Sequence, residues 1–126
     1  DALQVAAKLM FDSNVGFLPV CDKDGKPVGT LTDRDIAVRV VGEDRLASAT
    51  KVKEVMTRDV IACKPDDDIE DAEEVMADNL ISRLLITDNE GKLAGVISLS
   101  DLARVSGTER AVRAFQQVTE REASLM

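Results

Sequence analysis

Apolar positions along this chain follow two spacings, one near the period of an α-helix and one of short unbroken runs. Leu3, Ala6, Ala7, Met10 and Phe11 mark one helical face over roughly residues 2–12, and Ser13-Asn14 ends it. Phe17-Leu18-Pro19-Val20-Cys21 reads as a buried strand, Asp22-Lys23-Asp24-Gly25 as a turn and Val28–Leu31 as the returning arm of a hairpin. Beyond Thr32, the run Ile36, Ala37, Val40 and Val41 predicts a second helix stopped by Gly42. Glu43–Thr50 is a polar connector, and Lys51–Met56 is a short helical turn. Val60–Cys63 is strand-like and closed by Lys64-Pro65.

The same order then recurs. Ile69, Ala72, Val75, Met76 and Leu80 form a helical stripe, Leu84–Thr87 a strand, Asp88-Asn89-Glu90-Gly91 a turn and Ala94–Ile97 a returning strand. Residues 1–39 align with 67–105 without a gap, with eleven identities that include Ala6/Ala72, Met10/Met76, Leu18/Leu84, Asp22/Asp88, Gly25/Gly91, Gly29/Gly95 and Asp35/Asp101. Most fall at turns, helix faces and strand ends, so a tandem duplication explains them better than composition does. The division expected is a first repeat at 1–45, a second at 46–107 and a terminal segment at 108–126. In that segment Ala111, Phe115, Val118 and Glu122 have near-helical spacing, which predicts a helix docked on its own chain or on a second copy.

Composition narrows the function more than the fold. The 126 residues carry a net charge of −8 and no His, Trp or Tyr. An acidic chain without a basic run or aromatic platforms is a poor nucleic-acid ligand. Without His it also lacks the commonest general base and metal ligand, and it has no nucleophile elbow or phosphate loop, so an enzyme is disfavoured. No apolar run is long enough to span a bilayer and the first residues lack a basic start, which points to the cytoplasm. Cys21 and Cys63 have no metal-site spacing and read as free structural thiols. The acids Asp66-Asp67-Asp68 fit a helix start better than a cation site.

The chemistry concentrates in Gly29-Thr30-Leu31-Thr32-Asp33-Arg34-Asp35 and its counterpart Gly95-Val96-Ile97-Ser98-Leu99-Ser100-Asp101. Each is a strand ending in a hydroxyl, with a carboxylate three residues later where a helix opens. A carboxylate there can accept both hydrogens of a ribose cis-diol. The same spacing is also that of a capping box, which needs no ligand.

These residues, together with Val55-Met56-Thr57-Arg58-Asp59-Val60, Pro65-Asp66-Asp67, Leu84-Leu85-Ile86-Thr87-Asp88 and Phe17-Leu18-Pro19-Val20-Cys21-Asp22, resemble a cystathionine-beta-synthase (CBS) domain occurring twice. The resemblance implies an α+β (α/β) fold: two β-α-β-β-α repeats packed by their sheets with pseudo-twofold symmetry, plus the C-terminal helix. It implies a regulatory sensor that binds AMP, ADP, ATP or S-adenosylmethionine in clefts between the repeats, forms a homodimer and does no chemistry. An adenine nucleotide would then be a regulatory ligand, with no cofactor or metal required and an enzyme or transporter as the regulated partner. A ligand-free dimerisation or docking module is the alternative. Carried onto this chain, Asp35 and Asp101 take ribose hydroxyls with Thr32 and Ser98 beside them. Gly16, Phe17, Ile81, Ser82 and Arg83 are the opposing strand starts around adenine, Thr30 and Val96 line the floor, and Thr57–Val60 add the edge of the opening strand. Arg34, Arg58, Arg83 and Lys64 are the cations for phosphate. Asp1 matches Asp67, so the first repeat has no counterpart of the strand at Val60–Cys63. With each cleft drawing its opening strand from the other repeat, the Thr32/Asp35 cleft is expected to be the better site.

Overall fold

The computed structural model describes residues 1–106, in two compact units that divide between Val60 and Ile61. The helix expected within 108–126 lies outside the described residues. In the first unit α1 (Leu3–Ser13) leads into the antiparallel pair β1 (Phe17–Cys21) and β2 (Pro27–Thr32), then α2 (Asp33–Ile36) and α3 (Val52–Val55). The second unit has β3 (Ala62–Cys63), α4 (Ile69–Asn79), β4 (Arg83–Thr87), β5 (Leu93–Ser98) and α5 (Leu99–Ser106), with β3 parallel to β4 and β5 antiparallel to it.

The duplication extends to single hydrogen bonds. Leu18 faces Leu31 across the first hairpin as Leu84 faces Ile97 across the second, and the register slips at matching places, Val20/Cys21 and Ile86/Thr87. In each turn one aspartate oxygen organises the chain: Asp22 Oδ1 accepts from the amides of Asp24 and Lys26, and Asp88 Oδ1 from those of Glu90 and Lys92. Gly25 and Gly91 then take φ of 82° and 80°, a region that penalises a side chain. Both long helices end on a left-handed residue, Asn14 and Leu80, each at φ 55°. Asn suits that conformation; Leu80 is there because the repeat's geometry requires it.

Each unit has its own apolar core. Leu3, Met10, Leu31, Val40, Val52, Val55 and Met56 fill the first, and Cys63, Ala72, Met76, Leu84, Leu99 and Leu102 the second. Full burial of a side chain such as Leu31 or Met76 contributes about 1.5–3 kcal/mol. The helical stripes are narrower than the sequence pattern suggests. Phe11, one residue round the helix from Met10, is 84% exposed, and Ile69 and Leu80 at the two ends of α4 also face outward.

Three expected elements differ in detail. The second helix regularises only over Asp33–Ile36, and Ala37–Val41 continues as a π turn that closes with the Gly42 amide donating to the Ala37 carbonyl. Gly42 therefore stays at φ −62°, and Asp44 takes the positive φ. The strand expected at Val60–Cys63 shrinks to Ala62–Cys63; Val60 lies outside it. Asp68 precedes α4 without a side-chain cap, whereas Asp67 Oδ2 accepts from the Lys64 amide and closes the turn ahead of the helix.

Both thiols are free, but their surroundings differ. Cys21 is exposed at the end of β1, contrary to the expected buried context, while Cys63 sits in the second core. Desolvation, and then neighbouring aspartate charges (Asp22 for Cys21, Asp67 and Asp71 for Cys63), push both thiols above the ordinary range, so exposure is what separates them. Iodoacetamide under native conditions is expected to modify Cys21 and spare Cys63 until the chain is denatured; equal rates by peptide mass spectrometry would contradict this packing.

Candidate functional site

Thr32 ends β2 in an extended conformation, φ −118° and ψ 162°, and its hydroxyl accepts from the Asp35 amide at 3.1 Å. Asp35 Oδ2 in return accepts from the Thr32 amide at 3.0 Å. This is a closed capping box, an interaction class worth about 0.5–2 kcal/mol. Ser98 and Asp101 repeat it, with the Asp101 amide donating to Ser98 Oγ at 3.1 Å and the Ser98 amide to Asp101 Oδ2 at 3.3 Å. The capping interpretation of the spacing therefore holds in both repeats. It uses one oxygen of each carboxylate and leaves the other to distinguish the two sites.

In the first unit that second oxygen reaches across the sequence. Asp35 Oδ1 accepts from the Thr57 hydroxyl at 3.2 Å, and Asp35 as a residue is only 9% exposed. Thr57 is held by paired backbone bonds with Thr30, each amide donating to the other's carbonyl at 2.9 Å. Arg39 Nη1 supports the same segment by donating to the carbonyls of Val55 and Met56, both at 3.0 Å. These bonds gather Thr30, Thr32, Asp35 and Thr57, all expected from the sequence, into one cluster. Its acidic group is partly withdrawn from water, where polar interactions are stronger.

Gly29 makes the approach possible. A Cβ there would lie 2.7 Å from the Thr57 carbonyl oxygen and 2.8 Å from Met56 Sδ. Gly95, its counterpart, has nothing within 4 Å of the equivalent point. The identical residue thus serves close backbone packing in only one repeat.

In the second unit Asp101 is exposed, and its Oδ1 accepts from Arg104 Nη2 at 2.9 Å. The Ser98 hydroxyl and amide, followed by the Arg104 charge, hold its carboxyl below the usual range. Ser98 Oγ also lies 3.1 Å from Ser100 Oγ.

The remaining expected residues are more scattered. Gly16 lends its carbonyl to the Asp33 amide and Phe17 pairs with Thr32, which places both beside the first box. Ser82 likewise accepts from the Leu99 amide and Arg83 pairs with Ser98. Ile81 closes the end of α4 by donating to Met76, and Val96 lies mid-strand opposite Leu85, 39% exposed. Thr57 is joined to β2 by an isolated bridge and does not extend β3, which corrects its placement in the opening strand; Val60 is outside that strand too. Of the cations, Arg58 donates to the Lys53 carbonyl, while Arg34 and Lys64 are exposed and their backbone amides donate to the carboxylates of Asp33 and Asp67. Among the described residues no cluster of His, Cys, Asp or Glu is arranged to hold a metal ion, and no helix is long and apolar enough to cross a membrane.

Sequence reasoning missed Arg39 and Arg104. Neither is duplicated: the repeat places Val105 opposite Arg39 and Val38 opposite Arg104. For Arg39 the available signal was a cation between the apolar positions Val38 and Val40.

Known proteins agree with this architecture. The CBS domain family profile matches residues 1–42 and 52–107. The CBS domain-containing protein YhcV of Bacillus subtilis (strain 168) is 43% identical over 101 residues, covering 80% of this chain and 70% of its own length. Inosine-5'-monophosphate dehydrogenase of Methanocaldococcus jannaschii is 38% identical over 104 residues, 82% of this chain but only 20% of the dehydrogenase. Among solved structures, the CBS domain pair of protein MJ0100, in complex with 5'-methylthioadenosine and S-adenosyl-L-methionine, superimposes with a TM-score of 0.74 at 28% identity, covering 85% of this chain and 82% of that one. Two matched α+β units, each ending a strand in a hydroxyl and opening a helix on a carboxylate, define the class. The chain belongs to the CBS domain family and is a tandem CBS pair.

Gly29→Ala is expected to destabilise the first unit by about 1–3 kcal/mol because backbone must shift, whereas Gly95→Ala should be tolerated. Comparable thermal melts for the two variants would refute the close-packing role. A depressed folded-state pKa stabilises the fold above the unfolded value, and that contribution is lost as pH falls through the carboxylate range. The Asp101 carbon signal should accordingly titrate below that of a free aspartate, and Ser98→Ala should raise its midpoint. An unmoved midpoint in an NMR titration would count against Ser98 as the main cause.

Proposed function

We propose that this CBS pair is a regulatory module that binds an adenosine-containing small molecule, with the Thr32/Asp35 cluster of the first unit as the principal ribose site. The observation that carries this reading is the duplicated strand-end hydroxyl and helix-start carboxylate, held rigidly in both repeats. Preorganisation matters because binding energy is not then used to order the acceptor. The adenosine ligands of the MJ0100 pair support the ligand class, and AMP, ADP, ATP and S-adenosylmethionine are the candidates. Asp35 is favoured over Asp101 because it is nearly buried and its second oxygen faces a neutral hydroxyl, whereas Asp101 is exposed and its second oxygen is already paired with Arg104. Gly16, Phe17 and Thr30 flank that site, and Arg34 and Arg58 are the candidates in the same unit for phosphate.

On this reading the repeats, taken as 1–45 and 46–107, pack by their sheets about a pseudo-twofold axis, and the ligand closes the cleft between them in a cytoplasmic homodimer. Ligand occupancy would shift an equilibrium in a regulated enzyme or transporter by the difference in affinity for two states. No catalytic role is proposed. The closed capping boxes favour a second reading, a ligand-free dimerisation or docking module in which both carboxylates are purely structural.

Calorimetric titration with AMP, ADP, ATP and S-adenosylmethionine separates the two. The sensor reading expects one of them to bind, with a stabilisation of about 2.7 kcal/mol at a hundredfold excess over Kd. Asp35→Asn, which keeps an acceptor for the cap, should weaken binding at least tenfold, and Asp101→Asn should do less. Silence with all four ligands would leave the docking module standing.

A further inference from the structure

The two capping boxes match, but the stretch that follows them does not. In the second unit Leu99–Ser106 runs as one α-helix. The matching stretch of the first unit is α-helical only over Asp33–Ile36 and then widens into the π turn Ala37–Val41. Gly42 permits that turn, since a Cβ there would lie 2.5 Å from the Val38 carbonyl oxygen. Such turns are rare and frequently mark functional sites. This one carries Arg39, whose counterpart is Val105, so the cation has no copy in the second repeat.

Arg39 Nη1 donates to the carbonyls of Val55 and Met56, both at 3.0 Å. The bland role of these bonds is to cap α3, whose last carbonyls have no partner inside the helix. The peptide that follows gives them a second one. The Met56 carbonyl and the Thr57 amide belong to the same peptide group, and that amide donates to the Thr30 carbonyl at 2.9 Å. A cation on the oxygen of a peptide polarises it and strengthens its N–H as a donor, so Arg39 tightens the bond that fixes Thr57 beside β2. The Thr57 hydroxyl then meets Asp35 Oδ1.

A carboxylate has roughly four acceptor positions, two on each oxygen. The Thr32 amide takes one on Asp35 Oδ2 and the Thr57 hydroxyl takes one on Oδ1. One position per oxygen is left, which is what the two hydroxyls of a vicinal diol require. We infer that Arg39 is a positioning residue for the ribose site: through the Met56–Thr57 peptide it fixes the hydroxyl that orients Asp35 for a vicinal diol, and so sets a preference for ribose over 2′-deoxyribose. For its ligand the inference rests on the adenosine reading above; for its chain of bonds it does not.

The test compares the unmodified chain with Arg39→Ala and Arg39→Lys in calorimetric titrations with AMP and 2′-deoxy-AMP. The unmodified chain is expected to prefer AMP about tenfold or more, because the deoxy sugar leaves an acceptor of Asp35 unpaired. Arg39→Ala should cut that preference at least threefold, and Arg39→Lys should restore it, since an ammonium has donors for the same two carbonyls. Capping alone would weaken both nucleotides equally, so an unchanged ratio would overturn the proposal. Without nucleotide, Arg39→Ala should speed hydrogen exchange at the Thr57 and Thr30 amides about tenfold or more and leave those of Thr32 and Asp35 at their former rates. No change, or a uniform rise across the first unit, would equally overturn it. Silence of the unmodified chain with both nucleotides would count against the adenosine reading instead, and the exchange rates would still decide whether Arg39 positions Thr57.

Discussion

One carboxylate joins the parts of the first unit. Asp35 satisfies the start of α2 with one oxygen and the Thr57 hydroxyl with the other, so a local turn and a distant segment share a single residue. A nearly buried carboxylate must have its lone pairs occupied, and here the Thr32 amide and the Thr57 hydroxyl, both neutral, donate to it. Thr30, Gly29 and Arg39 are arranged around that need: two backbone bonds bring Thr57 near, an absent side chain leaves space for it, and a guanidinium holds the preceding carbonyls. Residues 46–60, which the sequence pattern puts at the head of the second repeat, are spatially part of the first unit for this reason.

The two halves have kept the same hairpin and diverged at the oxygen that the hairpin leaves over. Asp101 turns to Arg104 on its own helix and remains in water, where the ion pair is screened and contributes little. The second oxygen of Asp35 faces a neutral hydroxyl, while that of Asp101 faces a guanidinium. Identical residues at matched positions therefore have unequal electrostatic value, and Gly29 and Gly95 show the same inequality in steric terms.

Much of this was legible in the chain. The hairpins were visible because Asp22 and Asp88, with their glycines, encode a turn locally, and the repeat was visible because those local signals recur at one offset. Thr32, Asp35, Ser98 and Asp101 were legible for the same reason: a capping box is a three-residue pattern. What escaped was whatever depends on distant partners. No neighbour of Arg39 signals that its guanidinium meets Val55 and Met56, and the π turn after Ile36 arises from tertiary packing that periodicity does not encode. Thr57 stands in sequence just ahead of the strand of the second repeat, and only its bridge to Thr30 fixes its place beside β2.

The aspartate-organised turns also bear on the order in which the chain acquires its structure. Each hairpin links residues close in sequence, with a side chain of the turn itself supplying the acceptor, so loop-closure entropy is small and both can nucleate independently. The bridge from Thr30 to Thr57 closes a much longer loop and gains nothing until β2 exists to receive it. Two quick local zippers therefore precede a slower clasp, and it is the clasp that carries Val52, Val55 and Met56 into the first core.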